Sequence, residues 1–524
     1  MSGALLLIAV QLCAGQVDDA GVDAGAAAPK MDIEEFGAPS GSPMSIDSFD
    51  ASPGDAGVPS DVGFFQNNAS PSNTRLYGFF RGLGAVDTSF DSFRDDPLPE
   101  NVAELRARAH IGADVKFSEA LRAKLEARAI YRAVTQRGWQ RPKATLEPMI
   151  GDAFVDLYTQ KVDLRVGWQI VSFGANPVFA PADQLNPRDF RESLLLAEPE
   201  DLKLPNFAVR ANFNIGKAEV TAAYFPFFEP DRYNVFGQDE AFLQPDFGQA
   251  LPFKVDPSIE DQLQPRVLET QRPKAYPWEG DLGLRATTKV NEVTVGASWV
   301  WGYEKIPEVT LDPELARVLS DRAAGRPPNE AASLSVQNRF NAGEQLAHGR
   351  YQRQHVLSLE ASTLFKSAQI DADLSYTPAQ TLIDDQFNPV RLSTVTWVLG
   401  VTQAADSDLL YNVTYIGMAI PGVSADQLLL ILEPSTARGA PRTAFLHGVI
   451  GTVGYRFLDR KLEATVRGAV EYRGFAVAPR VTYAFTERIT GILEAEIYEG
   501  KKYSPFGYFD RNDQILAGVQ LALF

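Results

Sequence analysis

The sequence predicts an all-β fold: a transmembrane antiparallel up-and-down β-barrel of about 18 strands, preceded by a disordered acidic N-terminal arm. Two observations lead to this fold class. Apolar and polar residues alternate along one segment after another, as expected of strands with one apolar and one polar face. The polar breaks between these segments alternate between short and long, which is typical of barrels with tight turns at one end and long loops at the other.

The segment 105–117 shows the alternation most clearly. Leu105 and Ile111 belong to its apolar side, and Arg106 and Asp114 belong to its charged side. For one strand alone, this pattern favours a soluble sandwich. Its recurrence at lengths near the roughly 9–11 residues that a tilted strand needs to cross a bilayer favours a membrane barrel. No run of roughly 18 or more apolar residues occurs, so we expect no membrane-spanning helix.

The first residues resemble a secretory signal, to which we assign residues 1–16. An apolar stretch, 4–12, is followed by Cys13 and by small residues that suit cleavage near Ala14 or Gly15. The basic residues that usually begin a signal are missing. Three alternatives therefore remain: a start further upstream, a weak signal, or a disordered apolar terminus. Cys13 is the only cysteine, and a mature chain without cysteine fits an envelope protein.

Residues 17–73 contain ten acidic residues but one basic residue, Lys30. Such a segment cannot bury enough apolar surface to offset the entropy lost on ordering, so we expect a disordered acidic linker. It would serve as a solvated spacer or, alternatively, carry a docking motif. The barrel would then occupy residues 74–524.

Eight tight turns and nine outer connections join the predicted strands, so both ends of the barrel lie on one side of the membrane. The tight turns are predicted at 118–120, 160–161, 216–217, 291–292, 366–367, 406–408, 459–461 and 486–488. The outer connections are predicted at 85–103, 132–151, 172–205, 229–279, 304–350, 377–388, 421–442 and 499–510, with one tight exception at 473–474. Within 304–350, a short helix is predicted over 312–325, because Asp312 can cap it and Gly325 can end it.

The side of each strand opposite the apolar one would face the lumen, and its charged residues are candidates for the pore lining. The basic candidates lie in the first half of the chain and are Arg106, Arg108, Lys116, Lys124, Arg128, Arg165, Arg210, Arg285 and Lys289. The acidic candidates lie in the second half and are Glu360, Asp371, Asp373, Glu463, Glu471, Glu494 and Glu496. Opposed charges across a water-filled lumen would favour polar, hydrated cargo. Alternatively, these charges pair with one another and stabilise a filled interior.

The segment 164–189 resembles a pattern of Gram-negative outer-membrane porin-like barrels. In that pattern, a strand with Arg-x-Gly-x-Gln leads to an aromatic-Gly pair and then to a loop with Pro-x-Asp and Asn-Pro-x-Asp. The matching residues are Arg165, Gly167, Gln169, Phe173, Gly174, Pro181, Asp183, Asn186, Pro187 and Asp189. Phe173 stands where those relatives often have Trp. Since Asn-Pro and Pro-x-Asp form turns, we expect the loop to fold compactly against the barrel wall.

Two further resemblances concern architecture and assembly. The strand number resembles that of alginate-type export barrels, without a shared motif. The last residues, 514–524, resemble the terminal strand by which barrels are recognised for assembly, with Phe524 as the signal residue. Counting back by twos from Phe524 reaches the polar Gln520, whereas the set from Ile515 to Leu523 makes a cleaner lipid face.

We therefore predict an outer-membrane channel, either a porin or an export barrel, that passes polar solutes or a secreted polysaccharide through a charged lumen. The alternatives are a plugged structural or adhesive barrel whose long loops bind a partner, and a transporter of hydrophobic small molecules. The four histidines show no metal-ligand spacing, and no nucleophile elbow or Gly-rich phosphate loop occurs, so no enzyme, metal or cofactor is predicted. The expected partners are outer-membrane lipid, the barrel-assembly machinery and, for an export barrel, periplasmic export components, but not nucleic acid.

Overall fold

Strands of alternating polarity pair with their neighbours in the chain and close into an 18-stranded antiparallel barrel in the computed structural model. The closure is complete because β1 (Thr74–Asp87) pairs both with β2 (Ala103–Ser118) and with β21 (Gln514–Ala522). The other barrel strands are β3 (Leu121–Thr135), β4 (Lys143–Tyr158), β5 (Val162–Gln169), β6 (Asn206–Ile215), β7 (Ala218–Phe225), β9 (Asp281–Val290), β10 (Val293–Tyr303), β13 (Arg353–Phe365), β14 (Ala368–Ile383), β15 (Pro389–Gln403), β16 (Leu409–Ile420), β17 (Ala444–Phe457), β18 (Leu462–Glu471), β19 (Gly474–Thr486) and β20 (Ile489–Gly500). The predicted fold class and strand number are confirmed.

The structure describes residues 73–88, 103–135, 143–191, 202–233, 268–274, 276–323, 327–383, 388–403, 408–422, 444–471, 474–500, 506, 509 and 512–523. The predicted signal peptide, the linker up to residue 72, Gly325 and Phe524 lie outside these residues.

Each predicted tight turn lies between two consecutive barrel strands, and several of the described turn residues adopt a left-handed backbone conformation. Asn291 and Lys366 have φ angles of 56° and 55°, the left-handed region that closes a two-residue hairpin. The connection predicted as the tight exception joins β18 to β19 at the loop end of the barrel.

Two outer connections are shorter than predicted, because β4 begins at Lys143 and β14 continues to Ile383. Each added part contains a proline. Pro148 pairs with Ala129 of β3, but on the other side of β4 no described strand pairs with it, since β5 pairs with β4 only from Ala153 to Tyr158. Pro378 lies at a register shift between β14 and β15. Edges and bulges are the places in a sheet that tolerate a residue without an N–H group.

The outer face of the barrel is apolar. Leu125, Leu146 and Leu359 are 65%, 67% and 60% exposed there, whereas their strand neighbours that point inward are mostly polar and buried. A closed, even-numbered barrel with an apolar outer band, tight turns and long loops has the properties of outer-membrane barrels, in which the tight turns are periplasmic. The protein is thus a multi-pass β-barrel of the bacterial outer membrane.

The long outer connections carry a small separate sheet and two helices. The strands of this sheet are β8 (Leu268–Gln271), β11 (Glu308–Leu311) and β12 (Ala347–Arg350). The helices are α1 (Pro313–Ala323) and α2 (Glu330–Asn341). The helix predicted over 312–325 is α1, and the Asp312 side chain accepts a hydrogen bond from the N–H of Glu314 at 3.0 Å. Helix α2 was not predicted, although Asn329 caps it by accepting from the N–H of Ala332 at 3.1 Å. None of the described helices is long and apolar enough to cross a membrane.

The height of the barrel wall varies around its circumference. β4 has 16 residues, whereas β5 and β7 have 8 each. Where β5 ends at Gln169, the chain leaves the wall, and it returns to the wall only at Asn206, the first residue of β6.

Candidate channel interior

Most of the predicted pore-lining residues lie on the inward side of their strands. Ten of them are at most 8% exposed: Arg106, Lys124, Arg128, Arg165, Arg210, Glu360, Asp371, Asp373, Glu494 and Glu496. Arg108, Arg285, Glu463 and Glu471 are half-buried. Lys116 and Lys289 differ from the prediction, because they lie at the tight-turn ends of β2 and β9 and are exposed. These two lysines are therefore at the periplasmic rim and do not line the middle of the lumen.

The basic residues of the first strands are paired with nearby carboxylates. The ammonium group of Lys124 lies 3.1 Å from Asp152, and the guanidinium group of Arg165 lies 2.6 Å from Asp156. Arg128 forms an ion pair with Glu126. The strand β4 supplies Asp152 and Asp156, which were not among the predicted pore-lining residues although they lie in the part of β4 predicted as strand. This wall is consequently less basic than predicted.

Three of the acidic residues of the later strands, Glu360, Glu463 and Glu494, also have cationic partners. Arg467 lies 2.6 Å from Glu494, and Arg456 lies 3.0 Å from Glu463. Glu360 on β13 pairs with Arg285 on β9 at 2.7 Å, across the intervening strand β10. Charges that are neutralised within a few ångströms produce only a weak field at longer range. The predicted separation into a basic and an acidic wall is therefore weakened by local pairs, whereas Asp371 and Asp373 bond to an amide and to backbone N–H groups.

The connection between β5 and β6 crosses the interior of the barrel, and we call its described residues, 170–191 and 202–205, the inner loop. The carboxylate of Asp373, on β14, accepts hydrogen bonds from the backbone N–H groups of Ala175 and Asn176, both at 2.9 Å. The side-chain amide of Asn176 reaches the hydroxyl of Thr414, on β16, at 3.3 Å. In the order of the sheet, β14 and β16 lie six and eight strands beyond β5. The inner loop therefore spans the lumen instead of packing against its own wall alone.

The glycines of the porin-like pattern allow this departure from the wall. Gly167 has a φ of 141°, and a Cβ atom there would lie 2.2 Å from the carbonyl oxygen of Ala153. Gly174 has a φ of 118°, and its Cβ atom would lie 2.3 Å from that of Ala180. Both positions need glycine because a side chain would be strained and would clash. Phe173, which lies between them in the sequence, is 1% exposed inside an apolar cluster with Leu185.

Asn186 satisfies the backbone groups that the end of β5 leaves without a ladder partner. Its side-chain oxygen accepts from the N–H of Val171 at 2.8 Å, and its amide nitrogen donates to the carbonyl groups of Gln169 and Leu204 at 3.1 and 3.2 Å. The Gln169 amide donates to the carbonyl group of Ala208 at 3.0 Å. Buried backbone groups inside a membrane need such partners. The porin-like pattern therefore supplies the side chains that bond to the backbone groups at the end of β5.

The second half of the inner loop is held by buried ion pairs. Asp183 lies 2.7 Å from the ammonium group of Lys203, and Arg188 donates to the carbonyl oxygen of Asp183 at 2.7 Å. The backbone N–H of Arg188 donates to the carboxylate of Asp231 at 2.7 Å. Burial raises the pKa of Asp231, which lies in an outer connection, to about 6, and the nearby Arg188 opposes this rise. Pro181 and Pro187 lie between these contacts, and Asp189 pairs with Arg191 at 2.5 Å. The loop is compact, as its turn residues predicted.

A large part of the interior is apolar, which the sequence analysis did not predict. One cluster joins the inner loop to the inward positions of β15–β20 and to the last outer connection, and its members are Val178, Phe179, Phe190, Leu202, Val398, Ile416, Ile450, Ala469, Ala476, Ala478, Tyr498, Phe506 and Phe509. The signal was available in β16, where Ile416, Met418 and Ile420 are apolar inward residues on a strand that is apolar outward as well. The inner loop thus rests on an apolar half of the wall.

Between the inner loop and the wall formed by β13–β16 lies a small cavity with an uncharged polar lining. Hydroxyl and amide side chains contribute about half of this lining, and they belong to Gln184, Gln354, Ser375, Thr377, Gln380 and Thr396. Phe179, Val356 and Met418 complete it on the apolar side. Such a surface can exchange hydrogen bonds with a passing polar molecule without attracting either sign of charge.

Comparisons with known proteins were made for both sequence and structure. The sequence matches the model of a family described as "Protein of unknown function (DUF1302)" over residues 70–478. No curated protein matches it. The fold is similar to that of Acinetobacter baumannii OccAB4, with a TM-score of 0.43 and 9% identity, over 86% of this chain and 98% of that chain. Pseudomonas aeruginosa OpdL gives a TM-score of 0.40 with 10% identity over 86% and 99% of the two chains. The outer membrane channel DcaP of Acinetobacter baumannii gives 0.37 with 11% identity over 86% and 97%.

Proposed function

The chain belongs to the family described as "Protein of unknown function (DUF1302)", and from the geometry of its interior we propose that it is an outer-membrane channel for small polar solutes. One observation carries this proposal. The inner loop, anchored on Asp373 and Thr414, divides the lumen and leaves beside it a small cavity that hydroxyl and amide groups line in part. A narrow, uncharged polar lining suits small hydrated molecules.

The size of the cargo follows from the same loop. A bound loop that spans the lumen leaves little room for a polymer chain, so small solutes are favoured over a secreted polysaccharide. The local pairing of the wall charges, such as Lys124 with Asp152, indicates weak selectivity between anions and cations.

Catalysis is not part of the proposal, and the positions of the histidines support this. His110 is buried against Phe79 on the inner face, with 4.4 Å between the ring centres, whereas His355 is on the outer face beside Trp299. His348 lies in the outer sheet on β12, and His447 is exposed on β17. Among the described residues, no three His, Cys, Asp or Glu side chains are grouped so that they could hold a metal ion.

The test is single-channel recording of the purified protein in a planar bilayer, combined with swelling of proteoliposomes in sugars of increasing size. We expect small conductance steps of low ion selectivity and uptake of monosaccharides but not of oligosaccharides. A folded protein without conductance or uptake would contradict a channel and would favour the plugged structural barrel. Uptake of an apolar fluorophore in the absence of sugar uptake would favour the second candidate, a transporter of hydrophobic molecules, which the apolar cluster on β15–β20 supports.

A further inference from the structure

A dense group of aromatic and basic side chains lies on the lipid-facing surface at the loop ends of β9, β10 and β13. We call this group the rim patch, and its members are Lys274, Tyr276, Trp278, Trp301, Tyr303, Arg353 and Arg391. Its strands expose an apolar surface below it, where Leu284, Leu357 and Leu359 are 38%, 48% and 60% exposed. The rim patch therefore lies where the hydrocarbon of the outer leaflet gives way to headgroups.

Arg353 is the centre of the rim patch. Its guanidinium carbon lies 4.0 Å from the ring centre of Trp301 and 4.1 Å from that of Tyr303. It donates hydrogen bonds to the carbonyl oxygens of Glu279 and Gly280. These contacts hold a permanent positive charge, flanked by two aromatic rings, at the lipid boundary.

Two further cations flank this centre. Arg391 reaches across the outer surface of β14 and donates to the carbonyl groups of Arg353 and Ala379, each at 2.8 Å. Lys274 places its ammonium group 6.0 Å from the ring centre of Tyr276. Two carboxylates are close: Glu279, which is half-buried, and Glu304, which is 3% exposed and lies 3.9 Å from Arg391. The exposed charge of the rim patch is consequently positive.

The rim patch also exposes an aromatic surface. The rings of Tyr276 and Trp278 are stacked with an interplanar angle of 6° and 5.0 Å between their centres. They are 42% and 73% exposed, so both ring faces of the pair are open to lipid and headgroups. Flat aromatic faces stack against sugar rings, and arginine pairs with phosphate through bidentate hydrogen bonds.

We propose that the rim patch binds the phosphorylated sugar headgroup of the glycolipid in the outer leaflet, that is, the lipid A part of lipopolysaccharide. The basic side chains would contact the phosphate groups, and the stacked rings would lie against the sugar. Charge and position both favour this partner, because the patch faces lipid at the outer end of the barrel only. The site would fix the rotation and depth of the barrel in the membrane independently of what passes through the lumen.

The test measures binding of fluorescent lipopolysaccharide to the full-length protein in detergent. The variants are Trp278→Ala and the double variant Arg353→Gln with Arg391→Gln. The control is Lys366→Gln, because Lys366 also lies over an aromatic ring, that of Phe365 at 5.5 Å, but at the periplasmic end of β13. We expect at least tenfold weaker binding for both rim variants and no change for the control.

Trp278 is so exposed that its replacement leaves the fold intact, and Trp278→Ala alone decides the outcome if the double variant does not fold. Equal affinity in all folded variants would overturn the proposal, as would an equal loss in the control. Displacement of the lipopolysaccharide by inorganic phosphate at comparable concentration would overturn it too, since the site would then bind free phosphate. Equal binding of phosphatidylglycerol vesicles would show that any anionic lipid suffices and would also contradict it.

Discussion

Asp373, on one wall of the barrel, accepts a hydrogen bond at 2.9 Å from the backbone N–H of Asn176, in a loop that starts from the other wall. The carboxylate is 3% exposed and binds a second backbone N–H, that of Ala175. A carboxylate that accepts several N–H groups is a strong, charge-assisted anchor. The loop that narrows the lumen is therefore held in part by a side chain that is distant from it in sequence.

Replacing this anchor should widen the channel. In Asp373→Ala, two buried N–H groups lose their acceptor, which costs about 1–3 kcal/mol for each group and favours release of the loop. We expect larger and noisier conductance steps and uptake of larger sugars. Asp371→Asn is the matched control, because Asp371 is a buried inward acid on the same strand that bonds to Gln369 and not to the loop. Equal conductance in both variants would exclude the loop as the constriction.

Asn186→Leu should destabilise the barrel more than the small change in side-chain volume suggests. The variant leaves the N–H of Val171 and the carbonyl groups of Gln169 and Leu204 without their partner. With buried unsatisfied groups at about 1–3 kcal/mol each, we expect a clear drop in the temperature of heat-modifiable migration on gels. Gln184→Leu serves as the control, since Gln184 makes one local bond, to Pro181 at 3.3 Å. A drop in this temperature of similar size in the control would refute the role of Asn186 as the hydrogen-bond partner of these backbone groups.

Mutations on the two faces of β2 should destabilise the barrel by different amounts. Ala109 faces lipid, so Ala109→Arg places a charge in the bilayer and should cost roughly 2–4 kcal/mol if it lies near the midplane. Arg108, its neighbour, faces the interior and is half-buried there, so Arg108→Ala should cost less. Urea titration of folding into lipid vesicles would measure both values. The reverse order would mean that the register of β2 is shifted by one residue.

The outer connection that begins at Glu304 should loosen as the pH rises. Burial raises the pKa of Glu304 from 4.5 to about 7, and the hydrogen bond from Thr381 opposes this rise. The folded state therefore binds more protons than the unfolded state between these values, and stability is lost as the pH rises from about 4.5 to about 7. The difference between the two pKa values corresponds to a loss of about 3 kcal/mol in the free energy of unfolding.

Hydrogen exchange of the segment 304–352 at pH 5 and pH 8 would detect this loss of protection. Glu304→Gln should make the exchange nearly independent of pH, apart from the intrinsic rate. Glu344→Gln should retain the dependence, because Glu344 is an exposed residue of the same region, paired with Arg339. Protection that increases from pH 5 to pH 8 in the unmodified protein would contradict the assignment.

Alternation and turn residues were sufficient to predict the barrel. The apolar side of each strand can be read from the sequence. Turns such as the one at Asn291 contain residue types that tolerate a positive φ. The extents of β4 and β14 were underestimated because Pro148 and Pro378 usually end strands, and only the pairing shows that each lies at an edge or a bulge. Strand pairing is a long-range property that local pattern does not contain.

The interior was predicted less completely than the wall. The inward charges could be identified, but their partners could not, since Asp152 meets Lys124 only through the pairing of β3 with β4. The path of the inner loop depends on Asp373, which is 197 residues away from Asn176 along the chain. Turn residues predicted that this loop is compact, and they contained no information about the wall on which it rests.

The short strands β5 and β7 have a consequence for the membrane itself. Eight residues at about 3.3 Å each, tilted by about 40°, span roughly 20 Å, which is less than the roughly 25 Å of a typical apolar band. On the opposite side, nine strands away from β5, the longer strand β17 with its 14 residues covers the band fully. This hydrophobic mismatch along one side should thin the adjacent bilayer or tilt the barrel. The lipid around this protein is then unevenly thick, and neighbouring proteins would meet a different local thickness depending on the side from which they approach.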